Sequence, residues 1–302
     1  MNYIEFKERT IDYLRNRMDK SIDISSRPIT KNNGVVLDGI IVRYPGEAAS
    51  PTLYVEQYYD EYLKGIPFGD LCEMMINVLG KHSEYYPDVR NFNEFDEVKK
   101  GVVYKLIHRE MNEELLKEIP HKIWNDLAIV YLYILPDEIY SQASILIRNE
   151  HLNMWNIDED TLYRTACLNT PNLMPAMTMT MESVLEEMLA QEEELDSARL
   201  CDTSFGRNMY VLTNRNRSFG ATAMLYSDEI ARISRRYECG LYIMPSSVHE
   251  VILMPSTECD DETCLRQLIM DVNETEVDLQ DKLSDSLYYY DPVREEIRIV
   301  AC

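Results

Sequence analysis

Short strand-like runs that occur in pairs, with single helical segments between the pairs, constrain the fold of this chain more than any other feature of its sequence. The first pair is the clearest, because Asn33-Gly34 is a strong hairpin signal that separates an apolar run at 22–29 from one at 35–42. The second half repeats this grouping, with strand-like runs at 209–213, 241–245, 249–254, 287–290 and 297–300 and helical patterns at 227–237 and 261–272. The sequence therefore predicts an α+β fold of short antiparallel sheets flanked by helices.

The order of these segments also predicts how the chain is divided. We expect two α+β modules, 1–150 and 151–302, with a flexible acidic connector at about 190–208 that has no apolar periodicity. Strands and helices do not alternate regularly, which argues against a doubly wound parallel sheet.

Two local expectations depend on finer signals. The run GATAMLY at 220–226 is predicted to be extended. A helix at about 157–168 is predicted to begin at Asn156, in capping-box relation to Glu159, and to end at Thr170-Pro171.

The balance of charge excludes some classes of function. Thirty basic residues stand against 53 acidic residues, for a formal net charge of −23. A general nucleic-acid binder needs a basic surface to displace counterions, so that class is excluded, as is adsorption to anionic membranes. No apolar run is long enough to span a bilayer, and no signal peptide is expected. Seven irregularly spaced cysteines are typical of a reducing compartment, so we expect a cytoplasmic protein.

Familiar catalytic and cofactor motifs are missing from the sequence. There is no G-x-G fingerprint, no P-loop and no G-x-S-x-G elbow, and the five histidines have no metal-ligand spacing. We therefore predict no cofactor and no metal.

The first candidate site is the run PSSVHE at 245–250. Ser247, His249 and Glu250 form a Ser–His–Glu grouping that could support nucleophilic or acid–base catalysis. The structural alternative is that the serines set the geometry of a turn and the His249 imidazole holds it. The structural alternative is favoured, because no catalytic motif surrounds these residues.

The second candidate site is a local excess of positive charge. Seven arginines stand against three acidic residues between 199 and 236, inside a strongly acidic chain. Asn214, Arg215 and Arg217 occupy the loop after a predicted strand, and arginine side chains suit phosphate or carboxylate ligands. The alternative, which is favoured, is that these arginines pair with the chain's own acidic residues.

Several blocks of sequence carry a resemblance across nearly the whole chain. They include KNNGVVLDGIIVR (31–43), IPHKIWNDLAIVYLYIL (119–135), LYRTACLNTPNLMP (162–175) and LYIMPSSVHEVILMP (241–255). With these blocks the chain resembles a family of uncharacterised acidic proteins from anaerobic gut bacteria, known as a domain of unknown function. The second half is also loosely similar to another uncharacterised bacterial family. The resemblance implies a reproducible architecture in a bacterial cytoplasm, and it implies no activity.

The leading hypothesis for function is a non-catalytic binding or protein-interaction module. It depends on the missing motifs, the 21 tyrosines and the uneven charge. One alternative is a hydrolase or transferase that acts on a small anionic substrate. Another is an acidic mimic of nucleic acid. The partner is expected to be another protein or a small anionic ligand, and the oligomeric state is left open.

Overall fold

The described residues form three antiparallel sheets flanked by helices. The computed structural model of the chain describes residues 1–45, 50–84, 90–135, 144–191, 208–259 and 261–301. The predicted α+β class, with short antiparallel sheets, is confirmed. The acidic stretch 192–207 of the predicted connector lies outside the described residues.

The chain groups into two compact units. One is Met1–Glu94 with Leu135–Ser141, and the other is Phe95–Ile134 with Gln142–Cys302. The sequence predicted a division near residue 150, whereas Phe95–Ile134 groups with Gln142–Cys302. The division into modules 1–150 and 151–302 stays a prediction.

The first unit contains one three-stranded sheet in the order β1-β2-β3. Its elements are α1 (Tyr3–Arg17), β1 (Asp23–Thr30), β2 (Val36–Arg43), β3 (Thr52–Tyr54), α2 (Val55–Leu63) and α3 (Phe68–Glu84). The predicted hairpin is confirmed: Asn33 and Gly34 have φ values of 57° and 70° in the connection between β1 and β2. Tyr58, Tyr59 and Tyr62 of α2 pack against the apolar core of this unit, so these tyrosines contribute to packing.

The second unit contains a six-stranded and a four-stranded sheet. Its first elements are α4 (Phe95–Val98), β4 (Val102–His108), α5 (Glu113–Leu116), β5 (His121–Trp124), β6 (Leu127–Ile134), β7 (Ser144–Leu146), α6 (Asn149–Trp155) and α7 (Glu159–Leu173). The later elements are β8 (Ala176–Thr180), α8 (Met181–Gln191), β9 (Tyr210–Asn214), α9 (Glu229–Tyr237), β10 (Leu241–Met244), β11 (Val251–Pro255), α10 (Glu262–Thr275), β12 (Tyr288–Asp291) and β13 (Glu296–Ile299). The six-stranded order is β13-β12-β10-β11-β9-β8, and β6 pairs with β4, β5 and β7.

Side chains close the outer edge of β4. The Thr170 hydroxyl accepts the Tyr104 N–H at 3.1 Å, and the Thr222 hydroxyl accepts the Leu106 N–H at 3.2 Å. Asn169 Nδ2 donates to the Val102 carbonyl at 2.9 Å. Backbone groups that an edge strand would otherwise leave open are thus satisfied by α7 and by the segment 220–225.

Two local predictions were wrong. The segment Gly220–Leu225 is a 3₁₀ helix and not a strand. Its first five residues are buried, so burial gives no alternation from which a strand could be recognised. Helix α7 is capped by Asp158, whose side chain accepts the Thr161 N–H, and it continues through Pro171 to Leu173. Pro171 has no backbone N–H and cannot donate to the carbonyl four residues earlier, yet the helix continues past it for two residues.

Candidate functional site

The PSSVHE run forms a turn between β10 and β11. Val251 pairs with Leu212, so the turn lies beside the end of β9. The Ser247 hydroxyl donates to Glu250 Oε1 at 2.6 Å, and Ser247 Oγ accepts the His249 backbone N–H at 3.0 Å. The serine therefore organises the turn through its neighbours in sequence.

The His249 imidazole has partners at both nitrogens. Nδ1 accepts the Phe219 backbone N–H at 3.3 Å, and Nε2 lies 3.5 Å from Asp281 Oδ1. This pattern places the proton of the neutral ring on Nε2. The ring also stacks on Phe219 with centroids 5.9 Å apart, and Lys105 Nζ lies 4.2 Å from the Phe219 centroid.

Asp281 controls the titration of His249. Its carboxylate raises the pKa of His249 above the usual value of 6.5, because it stabilises the imidazolium. Burial and the charge of Lys105 act in the opposite direction. Asp281 was not singled out from the sequence, because it lies more than thirty residues from His249 in a segment without motif context.

The loop after β9 holds the second group of sequence-predicted residues. Asn214 is fully buried; its Nδ2 donates to the Ser218 carbonyl at 2.7 Å, and its Oδ1 accepts the Asn216 N–H at 3.0 Å. Arg217 pairs with Glu187 at 2.6 Å, and this contact raises the pKa of Arg217. Arg215 is exposed. Asn214 thus shapes the loop, and Arg217 pairs with the chain's own acid.

The two sequence-predicted groups meet at their backbones. The Thr213 hydroxyl donates to the His249 carbonyl at 2.7 Å, beside the Phe219 contact with the imidazole. Gly220 fits beneath them: a Cβ there would lie 2.1 Å from Thr213 Oγ1 and 2.4 Å from the His249 carbonyl oxygen. The loop and the turn therefore form one packed junction.

The segment around Asp281 and Lys282 supports this junction, and it also lines an open cleft of about 620 Å³. The Val248 N–H donates to the Asp281 carbonyl at 2.8 Å, and Ser247 forms a single bridge with Lys282, which lies in the cleft wall. The remaining wall comes from the end of α10 and the residues that follow it. Ser247, His249 and Glu250 do not line this cleft.

The wall of the cleft is rich in carboxylates and has two exposed apolar side chains. The carboxylates belong to Glu274, Glu276, Asp278 and Asp285, and the apolar side chains are Met270 and Leu279. Lys282 Nζ lies 2.7 Å from Asp285 Oδ2. Burial raises the pKa of Asp285, but hydrogen bonds from Lys282 and Asn273 outweigh it, so this pKa lies below the usual value.

A second cavity of about 480 Å³ lies beside α9 and the hairpin of β12 and β13. Its wall includes Trp124, Arg235 and Tyr290. No buried side-chain nitrogen or oxygen of the described residues in this wall lacks a hydrogen-bond partner. The first cleft differs in this respect, because Asn273 in its wall has an unpartnered oxygen.

Sequence reasoning missed the cleft, although one signal was present. The C-terminal end of α10 carries Glu274 and Glu276 and no basic residue in its last turn. The C-terminal ends of helices normally carry basic residues, so the two glutamates here could have drawn attention to the segment.

Within the described ranges, no three His, Cys, Asp or Glu side chains are grouped so that they could hold a metal ion. The helices in the same ranges include none that is long and apolar enough to cross a membrane.

These features define an α+β protein with a self-contained polar junction and an acidic cleft in its second unit. The chain belongs to a family of unknown function, DUF5688, whose model matches residues 3–292. No curated protein and no solved structure matches the chain. Membership of a family of unknown function that spans nearly the whole chain is thereby confirmed.

Proposed function

We propose that this protein is a non-catalytic binding module whose ligand occupies the cleft at the end of α10. The observation that carries the proposal is the cleft itself, where exposed Met270 and Leu279 stand beside four carboxylates. Its volume of about 620 Å³ falls in the range of small-molecule sites. Ligand pockets are commonly concave and combine apolar side chains with a few polar groups.

The contacts of the candidate catalytic residues favour binding over catalysis. A serine nucleophile needs its hydroxyl directed at a general base that a third group orients. Here the Ser247 hydroxyl contacts Glu250, whereas the His249 imidazole contacts Phe219 and Asp281. These groups are explained by their structural roles in the junction.

The contacts of the loop after β9 also weaken the alternative of an enzyme for a small anionic substrate. Asn214 is buried within the loop, and Arg217 is engaged with Glu187. Only the exposed Arg215 of the three proposed ligand-binding residues is left to recognise an anion. We propose a bacterial cytoplasmic setting, on the resemblance of the sequence blocks and the cysteine pattern.

Thermal-shift measurements on the intact chain test this proposal. A panel of cationic, anionic and neutral small molecules is screened, because a ligand that binds only the native state raises Tm. Mass spectrometry then measures whether each binding ligand is recovered unchanged after long incubation. We expect a rise in Tm and an unchanged ligand, for the wild type and for Ser247→Ala alike. Conversion of the ligand by the wild type, with loss of that conversion in Ser247→Ala, would contradict the proposal.

A further inference from the structure

We infer that the cleft at the end of α10 binds an aliphatic cation, that is, an ammonium or guanidinium group carried on a chain of methylene groups. This inference rests on the proposed binding function, because it assigns a ligand class to the same site. Three observations support it: the charge of the wall, an unpartnered buried oxygen, and the position of two apolar side chains.

The charge of the wall favours a cation. Glu274, Glu276, Asp278 and Asp285 stand against Lys282, which already contacts Asp285 at 2.7 Å. An anionic ligand would face an excess of carboxylates at short range, which is unfavourable. A cation that enters the cleft is attracted by this excess of negative charge.

The end of helix α10 strengthens this potential. The carbonyl end of a helix carries partial negative charge and is stabilised by basic side chains. Helix α10 has no basic residue in its last turn and carries Glu274 there, followed by Glu276 at the cap. The helix and its side chains therefore add negative potential at the same place.

Asn273 offers an acceptor that nothing in the described chain satisfies. Its side chain is 4% exposed and lies in the wall of the cleft. Nδ2 donates to the Ser284 carbonyl at 2.8 Å and to Asp285 Oδ1 at 3.0 Å, which fixes the orientation of the amide. Among the described residues, Oδ1 has no hydrogen-bond partner. Ammonium and guanidinium groups carry several N–H donors and no acceptor, so either can supply the missing bond.

The two apolar side chains account for the aliphatic part of the ligand. Met270 is 51% exposed and Leu279 is 55% exposed, and both line the cleft. Methylene groups lie well on such surfaces while a charged head reaches the polar groups. A bare metal ion would leave these side chains uncovered.

Isothermal titration calorimetry on the full chain with agmatine tests the inference. Agmatine carries a guanidinium and an ammonium group on a methylene chain, and glutarate serves as an anionic probe of similar length. We expect saturable binding of agmatine that weakens at high salt, and no binding of glutarate. Binding of glutarate with no binding of agmatine overturns the inference.

Variants locate the binding. Glu274→Gln with Glu276→Gln removes two carboxylates from the wall, and we expect agmatine affinity to fall at least about fivefold. The matched control, Asp271→Asn with Glu113→Gln, removes two exposed carboxylates that do not line the cleft. We expect affinity within about twofold of the wild type for this control. Equal losses in both double variants overturn the inference.

Asn273→Asp tests the buried acceptor while it keeps the shape of the side chain. Circular dichroism and Tm first establish that this variant is folded; if it is not, the Gln variants decide the inference. In the folded variant we expect the affinity for agmatine to change at least about twofold, because replacing Nδ2 by oxygen removes its bonds to Ser284 and Asp285 and with them the fixed orientation of the acceptor. An unchanged affinity assigns the binding to another place and overturns the inference.

A second probe identifies the source of the cation. Nα-acetylarginine amide presents the guanidinium group as a peptide side chain does, whereas agmatine presents it on a small molecule that also carries a free amino group. Binding of both supports a peptide source, and binding of agmatine alone supports a free amine. If neutral or anionic ligands bind and are recovered chemically unchanged, whereas cations do not bind, this inference fails while the proposed function stands. Chemical conversion of a ligand contradicts the proposed function instead.

Discussion

The residues around His249 show how a catalytic-looking grouping can be a structural one. The Ser247 hydroxyl meets Glu250, and the imidazole meets Phe219 and Asp281. Such contacts hold a tight connection between strands, and they leave the hydroxyl and the imidazole with different partners. The residue types could be recognised from the sequence, whereas their partners could not, because Asp281 and Phe219 come from distant segments.

Gly220 is the residue on which this packing depends most. We expect Gly220→Ala to lower the free energy of unfolding by about 1–3 kcal/mol, since its Cβ would meet the His249 backbone carbonyl, which cannot move aside. The matched control is Gly80→Ala in α3, where a Cβ meets nothing within 4 Å. That variant should be unchanged or more stable by up to about 1 kcal/mol. Urea unfolding measures both, and equal effects would contradict this account.

The His249–Asp281 contact predicts a specific dependence on pH. Because the pKa of His249 is raised in the folded state, the stability it contributes is fully present below its usual pKa of 6.5. It is lost as the pH rises through the raised pKa. The wild type should have a larger free energy of unfolding than Asp281→Asn at about pH 6, and this difference should shrink as the pH rises to about 8. Urea unfolding across this range measures it, and an advantage that grows with pH would show the sign to be wrong.

At the scale of elements, strand β4 is held by side chains on its outer edge. Hydroxyls of Thr170 and Thr222 and the amide of Asn169 bond successive outward-facing backbone groups. The two threonines are fully buried, so these bonds are shielded from water. An edge protected in this way is closed to pairing with another chain.

Replacement of Thr222 by the isosteric Val tests this arrangement. The Leu106 N–H would lose its acceptor in a buried position, so we expect a loss of about 1–3 kcal/mol in the free energy of unfolding. The control is Thr275→Val, at an exposed position on α10, which should change stability by less than about 0.5 kcal/mol. Hydrogen exchange at Leu106 should accelerate only in the first variant. Unchanged exchange there would refute the role of Thr222.

Elements with a local signal could be predicted from the sequence, and elements set by distant contacts could not. The hairpin at Asn33-Gly34 was recognisable because its turn requires positive φ angles. The 3₁₀ helix at Gly220–Leu225 was not, because it is determined by Thr213, His249 and Leu106 around it. The cleft is an intermediate case: its acidic helix end is visible in the sequence, but the burial of Asn273 is not.

At the scale of the whole molecule, the second unit crosses the predicted division at residue 150. Trp124 stacks on Tyr288 with centroids 5.7 Å apart, and the Ser284 hydroxyl donates to Asp126 at 2.6 Å. The backbone of β4 is bonded by Thr170 and Thr222. These contacts make the segment 95–134 part of the same unit as the residues after 142.

Fragments of the chain test this organisation. We expect the fragment 95–302 to unfold cooperatively, because it keeps the contacts of the second unit. The fragment 151–302 should show weak or no cooperativity, because it loses β4 and β5 and with them the partners of Thr170, Thr222 and Tyr288. Thermal unfolding followed by circular dichroism measures both. Cooperative unfolding of 151–302 would instead favour the division at residue 150.

The acidic end of α10 has a consequence for engineering. Methods that raise thermostability by improving surface charge place lysine or arginine in the last turn of a helix, and they would select positions 274 and 276 early. A variant optimised in this way would melt at a higher temperature and would no longer present the cleft's excess of carboxylates. In a stabilisation campaign on this chain, these two glutamates are therefore the positions to hold fixed.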